Sequence, residues 1–514
     1  MYWKSLAVTV CCAGLLGCAV GPDFRSPAAP AVQDYTAKAL PAHSAEAPGI
    51  GGNAQRFAMG EQIPEQWWTL FRSDKLDRLI RMALAGNPTT AAAQAALRQA
   101  RENYRAQYGA SLFPAVDANL SAGREHAGGA AFGQSGGGGT TFDLFNASVS
   151  VSYTLDLFGG ARRELEALQA QVDYQDYQLR GTYLTLASNV VTSAMLEASL
   201  RAQRQATHDI LADQQQALVL VERQFQLGGI SRADVLAQQT QLAQTQAALP
   251  PLEKALSQTR HLLAVLVGKF PSQAGALPEF DLQGLTLPAT LPVSLPSTLV
   301  RQRPDIQAAE ALLHAASAQV GVATANMYPR ITLTAGYGSQ SNKLGDLFSG
   351  DALIWNAGAG LLQPLFHFGE LSAKRRAAVA AYDQSLALYH QTVLQAFLDV
   401  ANTLRALESD ARTLKARADV EKAAQDALEM TKNQFQLGAV SYLSLLDAQR
   451  QFQQARIGLI QAQATRFADT AALIQALGGG WWQPAPTAGN AALLVKGHPA
   501  MDESKSVERP SMQQ

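Results

Sequence analysis

The chain has 514 residues, of which 47% are hydrophobic and 16% are charged, and its formal net charge is −1. Such a length can bury a large core, while the near-neutral charge disfavours nucleic acid or another polyanion as a partner. Because the three cysteines, Cys11, Cys12 and Cys18, all lie close to the N-terminus, we expect neither a disulfide nor a cysteine metal site in the folded body.

The N-terminus is typical of an exported lipoprotein. Lys4 precedes an apolar run, residues 6–16, which is too short to span a membrane stably and predicts a signal peptide over residues 1–17. The run ends in Leu-Leu-Gly-Cys, which resembles the bacterial lipobox. Cys18 is therefore the predicted lipidation site, with S-diacylglycerol and N-palmitoyl groups, and no other cofactor is expected. An ordinary secretory signal with an incidental cysteine is the alternative. The residue after the cysteine is Ala19 and not aspartate, which resembles lipoproteins that are sorted to the outer membrane.

The rest of the chain is predicted to divide into four parts. Residues 18–65 are rich in proline, alanine and glycine and lack periodicity, so we expect an extended segment that leads from the lipid to the folded body. Two repeats are predicted to follow, over residues 66–290 and 291–477. Residues 478–514 are expected to form a flexible tail.

Repeat 1 changes from a helical to a strand pattern and back. Helices are predicted on either side of Asn87-Pro88, and a pair of strands over about residues 114–157. In both strands apolar residues alternate with small polar ones, so that one face is apolar and the other is polar. A helical hairpin is predicted over about residues 160–268. Its first arm would be about 100 Å long, and Pro250-Pro251 is expected to break or kink its second arm.

Repeat 2 has the same order of elements, and the hairpin turn carries the clearest sign of duplication. Gln-Phe-Gln-Leu-Gly begins at Gln224 and again at Gln434, each time between long helix-patterned segments. A strand pair is predicted over about residues 329–368 and a helical hairpin over about residues 369–477. Four strands of this kind could cross an outer membrane only in a closed sheet, and four are too few to close. Either several copies share one barrel or the sheet packs on helices without entering lipid.

Several motifs, in the correct order from Cys18 to Leu477, resemble the outer membrane factor (outer membrane efflux protein) family, of the TolC-like, OprM and NodT lipoprotein type. The resemblance implies a homotrimer in the outer membrane of a Gram-negative bacterium. It also implies a shared 12-stranded β-barrel, a helical periplasmic tunnel, and an adaptor protein with an inner membrane pump, most simply of the RND type, as partners. The motifs are residues 303–310 (Arg-Pro-Asp-Ile-Gln-Ala-Ala-Glu), 263–268 (Leu-Ala-Val-Leu-Val-Gly), 331–333 (Ile-Thr-Leu) and 18–24 (Cys-Ala-Val-Gly-Pro-Asp-Phe).

The resemblance places the periplasmic tip, which meets the adaptor, at the two hairpin turns. These turns consist of Leu227, Gly228, Gly229 and Ser231 in repeat 1 and of Leu437, Gly438, Ala439 and Ser441 in repeat 2.

The same resemblance suggests a gate near the tip. Asp447 matches an inward-facing acidic position that narrows the pore in related channels, but Ser444 stands at the neighbouring acidic position, which puts a second acidic ring in doubt. Asp234 and Arg232 follow the other turn and are further candidates for the constriction or for contact with a partner chain. Solvated charges on helix surfaces are the alternative for Asp447, Asp234 and Arg232.

An enzyme is not expected. Residues 133–137 match the Gly-x-Ser-x-Gly motif of hydrolases, but they lie in a glycine-rich loop between strands, whereas that motif needs a strand before it and a helix after it. The resemblance to the outer membrane factor family implies a passive exit duct for small molecules such as drugs. A non-conducting structural lipoprotein and a channel for secreted polypeptides are the alternatives.

Overall fold

A computed structural model describes residues 19–128 and 139–481 of the chain. The predicted signal peptide, Cys18, the Gly-x-Ser-x-Gly loop and residues 482–514 lie outside the described residues.

The described elements follow the predicted order twice. The first half contains β1 (Arg56–Met59), α1 (Asp74–Gly86), α2 (Pro88–Leu112), β2 (Ala115–Ala127), β3 (Thr140–Leu155), α3 (Gly160–Gln226) and α4 (Arg232–Leu266). The second half contains β4 (Thr290–Val293), α5 (Pro296–Gln302), α6 (Pro304–Ala325), β5 (Arg330–Ser341), β6 (Leu353–Leu362), α7 (Glu370–Gln436) and α8 (Tyr442–Ala476). The predicted strand pairs and helical hairpins are thus confirmed.

Four strands form one antiparallel sheet in the order β2-β3-β5-β6. Its register places the apolar residues of all four strands on one face of the sheet and the small polar residues on the other. One row of opposed residues is apolar and consists of Ala118, Val149, Tyr337 and Trp355. The adjacent row, on the other face, consists of Asp117, Ser150, Gly336 and Asn356. The outer edges of β2 and β6 have no partner strand among the described residues.

The two helical hairpins have equal dimensions. Helices α3 and α7 each have 67 residues, and α4 and α8 each have 35. Helix α4 continues through Pro250 and Pro251, so the predicted break is wrong, while a kink at this point stays a prediction. Each proline removes one N–H donor, but residues 246 and 247, whose carbonyls lose their partners, are exposed, so water can take the place of the missing donors.

The largest hydrophobic core lies where the middle of α3 and α7 meets the C-terminal ends of α4 and α8, together with α1 and the short connecting segments. Its most deeply buried large side chains include Trp67, Phe71, Leu79, Leu263 and Phe467. No helix in the described ranges is both long and apolar enough to cross a membrane.

The N-terminal segment corrects one predicted boundary. Within residues 18–65, β1 pairs in parallel with β4, so this segment belongs to the folded body, and a division at residue 290 would cut through β4. The hydroxyl of Tyr35 donates to the carbonyl of Ser294 over 2.8 Å, which fastens the segment upstream of β1 as well. Each of these strands has only four residues, too few for alternation to reveal them in the sequence.

The C-terminal boundary also moves. Gly478, Gly479 and Gly480 all have positive φ and end α8. Trp481 then donates its indole N–H to the carbonyl of Gln302 over 2.7 Å, and the guanidinium of Arg180 lies 4.5 Å from the centre of its ring. The first residues of the predicted tail are therefore fixed to the body.

Candidate channel wall, hairpin tips and hairpin bases

The two hairpin turns have the same backbone geometry. Gly228 and Gly438 have φ of +76° and +74°, a region that side chains with a Cβ enter at a cost. The amide of each glycine donates to the carbonyl three residues earlier over 2.9 Å, that of Phe225 and of Phe435 respectively. The Leu-Gly sequence therefore supplies a helix end and a chain reversal in both repeats.

Both return helices begin with a capping serine. Ser231 and Asp234 form a complete capping box, with Ser231 N–H donating to Asp234 Oδ2 over 3.0 Å and Asp234 N–H donating to Ser231 Oγ over 3.2 Å. Ser441 caps the second helix through the backbone N–H of Ser444, over 3.3 Å. Asp234 therefore contributes its side chain to helix capping, and Ser444 contributes its backbone N–H.

Beyond the turns the two tips differ, because Tyr442 is buried. It belongs to a small apolar cluster in which the two hairpins meet, formed by Val221, Val235, Tyr442, Leu445 and Leu446. The Tyr442 hydroxyl also donates to Oε1 of Gln238, a buried residue of α4, over 2.6 Å. These contacts hold α8 against the first hairpin directly above the turns.

The gate candidates do not form a common cluster within one chain. Asp447 is exposed and accepts hydrogen bonds from Arg450 over 3.1 Å and Gln451 over 2.7 Å, both on its own helix. Arg232 is exposed as well. A constriction built from these residues would require several copies of the chain.

The base of the second hairpin holds a charged cluster that sequence reasoning missed. Arg466 is fully buried on α8, and its Nη2 donates to Ser44 Oγ and to the Asn53 carbonyl, each over 2.8 Å. Nε and Nη1 of Arg466 and Oδ2 of Asp410 on α7 are buried without a hydrogen-bond partner in the described part of the chain. Burial, followed by hydrogen bonding to Asp469, raises the pKa of Asp410 to about 7.

A second buried arginine explains part of a motif singled out in the sequence. Arg303 donates from Nη1 to the carbonyl of Ala476, the last residue of α8, over 2.8 Å. Its Nη2 contacts Asp305 over 2.7 Å and Asp399 over 3.1 Å. A cation at the end of a helix stabilises the unpaired carbonyls there, so the Arg-Pro-Asp sequence joins the start of α6 to the end of α8.

The fold and these surfaces define a protomer of an outer membrane efflux channel. The family model of outer membrane efflux proteins matches residues 79–269 and 295–479. The chain therefore belongs to the outer membrane efflux protein family, whose members are transport proteins located in the outer membrane.

Individual relatives agree with this assignment. The chain is 33% identical over 423 residues to the pyoverdine export outer membrane protein OpmQ of Pseudomonas aeruginosa, covering 81% of this chain and 87% of OpmQ. It is 32% identical over 482 residues to the probable efflux pump outer membrane protein TtgC of Pseudomonas putida, covering 93% and 96% of the two chains. The solved outer-membrane channel OprN superposes with a TM-score of 0.80 at 28% identity, over 90% of this chain and 100% of OprN.

Proposed function

We propose that three copies of this chain form a closed, passive duct that carries small molecules from an inner membrane pump to the cell exterior. The observation that carries the proposal is the four-stranded sheet with one apolar face, one small polar face and two open edges. In lipid such edges must be paired, and four strands are too few to close on themselves. Twelve strands from three copies would close the sheet around a polar lumen.

The helical hairpins would continue this duct into the periplasm. At 1.5 Å per residue, the 67 residues of α3 and of α7 extend roughly 100 Å. The turns that contain Leu227 and Leu437 lie at the far end from the sheet, and both leucines are largely exposed. We therefore assign adaptor contact to these tips, and the adaptor would join the duct to an RND-type pump that supplies the energy for transport.

A lipid at Cys18 would be held close to the membrane end of the helices. The amide of Val20 donates to the carbonyl of Phe158, between β3 and α3, over 3.0 Å. Asp23 pairs with the buried Arg163 of α3 over 2.6 Å. These contacts fix the chain within a few residues of the predicted lipidation site and support anchoring in the leaflet that borders the periplasm.

The relatives, which include a pyoverdine export protein and an efflux pump component, support small molecules as the cargo. We assign small molecules, antimicrobial compounds among them, to this duct. The test is deletion of the gene followed by measurement of sensitivity to a panel of antimicrobials, with the intact gene and a Cys18→Ser variant returned on a plasmid. Increased sensitivity that the intact gene restores is expected. Unchanged tolerance to the whole panel, combined with loss of a secreted protein, would favour polypeptide export instead.

A further inference from the structure

A polar cavity of 430 Å³ lies above the hairpin turns, where α4 and α7 meet α8. Its lining includes two arginines, Arg417 of α7 and Arg450 of α8, and no acidic side chain. Because guanidinium groups and primary amides both carry several N–H donors, this cavity is rich in donors and poor in negative charge. Five glutamines contribute these amides: Gln241, Gln244, Gln453, Gln454 and Gln461.

Arg417 supplies the uncompensated charge of the cavity. Arg450 pairs with Asp447 over 3.1 Å, whereas the exposed Arg417 has no acidic partner among the described residues. A guanidinium binds a carboxylate or a phosphate through two parallel hydrogen bonds. The cavity therefore offers an anion a free cationic group, with amides beside it that can bind hydroxyl or amide groups of the same molecule.

Gly458, in the interior of α8, gives the Arg417 side chain its room. A Cβ at this position would lie 3.3 Å from Nη1 of Arg417 and 3.6 Å from its Cδ and Cζ. Glycine in a helix interior costs about 1 kcal/mol relative to alanine, so a glycine at this point indicates a packing requirement. The requirement here is the guanidinium that lies across α8.

Repeat 1 lacks this arrangement. The two hairpin turns are 210 residues apart, and at that offset neither arginine nor the glycine has an identical counterpart. A structural need shared by both hairpins therefore does not explain these residues, since the first hairpin folds without them. The counterparts of Arg417, Arg450 and Gly458 are Thr207, Thr240 and Ala248.

The cavity lies on the side of α8 that carries Asp447, the candidate for the constriction. Arg450, Gln454 and Gln461 follow Asp447 at three, seven and fourteen residues, spacings that return to one face of a helix. Arg466, which binds the N-terminal segment, lies five residues beyond Gln461 and therefore on a different face. In a duct that is constricted at Asp447, the cavity opens into the lumen roughly 5 to 20 Å farther along α8.

We propose that this cavity is a cargo site on the inner wall of the duct, and that it binds small molecules carrying a carboxylate or phosphate together with hydroxyl or amide groups. The proposal rests on the duct proposed above and adds the chemical class of its cargo. Arg417 binds the anionic group, and the exposed amides of Gln244 and Gln454 bind the neutral polar groups. Because transport requires release, binding is weak, and because Arg417 is exposed, salt weakens it further.

The test is titration calorimetry of the full-length, detergent-solubilised protein at low ionic strength. Citrate is the probe, because it carries carboxylates and a hydroxyl group, and glucose is the neutral control. Citrate should bind and glucose should not. Arg417→Gln should weaken citrate binding roughly tenfold, since hydrogen bonds to a charged group are lost. Arg412→Gln removes the same charge from an exposed position of α7 outside the cavity and should leave the affinity for citrate near that of the wild type.

Current recordings in planar bilayers locate the site relative to the duct. Citrate should reduce the ion current through the wild type, because a bound anion narrows the lumen, and should reduce it less in Arg417→Gln. Citrate binding that leaves the current of a conducting protein unchanged would overturn the position on the inner wall.

The outcomes separate the site from the duct. If citrate does not bind, or binds Arg417→Gln as tightly as Arg412→Gln, while the protein remains oligomeric and conducts, the site is wrong and the duct stands. A protein that binds citrate without conducting would overturn the duct, and with it the role of the site in transport.

Discussion

The two helical hairpins share one backbone and differ in the side chains that hold them. Their arms have equal lengths and their turns have nearly equal φ angles. At the tip, the first residue of the return helix is the exposed Arg232 in one hairpin and the buried Tyr442 in the other. Near the base, Leu200 and Leu256 of the first hairpin stand where the second has Asp410 and Arg466.

This difference indicates that the duplicated hairpins kept one backbone shape while their side-chain contacts diverged. The second hairpin is fastened to the first by Tyr442 and to the N-terminal segment by Arg466. The first hairpin has the buried Leu200 and Leu256 at the equivalent positions. Its two arms are joined nearby by the buried Glu197, which pairs with Arg201 over 3.0 Å and with Arg260 of α4 over 2.6 Å. In the second hairpin the pKa of the Asp410 carboxyl is raised to about 7, so its protonation can change near neutral pH, and we expect movement of the tip to occur mainly in α7 and α8.

Removal of the Tyr442 side chain should give the largest effect. Tyr442→Ala deletes a buried aromatic ring, which costs about 3 kcal/mol or more, together with the hydrogen bond to Gln238. Faster amide hydrogen exchange is expected around the tip of the second hairpin. Arg232→Ala, at the equivalent position, is the matched control and should leave exchange nearly unchanged. Equal effects of the two substitutions would contradict the difference between the hairpins.

The base of the second hairpin should respond to pH. Because the pKa of Asp410 is raised to about 7, the folded protein retains a proton there that the unfolded chain releases near pH 4. Stability is therefore expected to fall as pH rises from about 5 to 8. Arg466 and Asp469 face this carboxyl, while the N-terminal segment contributes the uncharged Ser44 and Asn53 to the cluster.

Asp410→Asn should flatten that dependence, since an amide does not titrate in this range. Thermal unfolding of the detergent-solubilised protein at pH 5 and pH 8 measures the effect. The exposed Asp419 on the same helix provides the control. The stability of Asp419→Asn should depend on pH as strongly as that of the wild type. A wild-type slope in the Asp410→Asn protein would show that this carboxyl is not the titrating group.

Substitution of the glycine in either hairpin turn should lower stability by equal amounts, which are smaller than the effect of Tyr442→Ala. Gly228→Ala and Gly438→Ala each place a Cβ at positive φ, where no neighbouring atom lies within 4 Å, so only backbone strain of about 1 kcal/mol is expected in each case. Urea unfolding of the two variants should give shifts that agree within error. Clearly unequal shifts would mean that the tips do not share one geometry.

Asp447→Ala should have the smallest effect on stability and still change conduction. Its exposed ion pair with Arg450 contributes at most about 1 kcal/mol. If Asp447 lines the constriction in a closed assembly, its removal should raise single-channel conductance and lower cation selectivity. Ala237 is the equivalent residue of the first hairpin, and Ala237→Ser should change neither the conductance nor the cation selectivity. Unchanged conductance and selectivity in Asp447→Ala would remove this residue from the gate.

Sequence reasoning reached those features that local patterns encode. Alternation identified the strands, helical periodicity and length identified the hairpins, and the Leu-Gly break identified the turns. The continuity of α4 through Pro250 and Pro251 could not be read from sequence, because it depends on the exposure of the carbonyls that lose their partners. The gate candidates remain a prediction, since their geometry depends on several copies.

The features that sequence reasoning missed are contacts between residues far apart in the chain. Arg466 and Ser44 are separated by 422 residues, and β1 and β4 are short strands from different halves of the chain. Neither leaves a periodic signal. The Arg303 contact to the end of α8 is similar, because the motif was visible in the sequence while its partner, the carbonyl of Ala476, has no sequence signature.

Single-channel recording of the purified protein in planar bilayers tests the duct most directly. Wild-type protein should insert as an oligomer and conduct weakly. Tyr442→Ala, which frees the tip of the second hairpin, should produce larger and more frequent openings, whereas Arg232→Ala should behave like the wild type. Oligomeric protein that conducts in none of these forms would contradict the central claim and would favour a structural role for the helical hairpins.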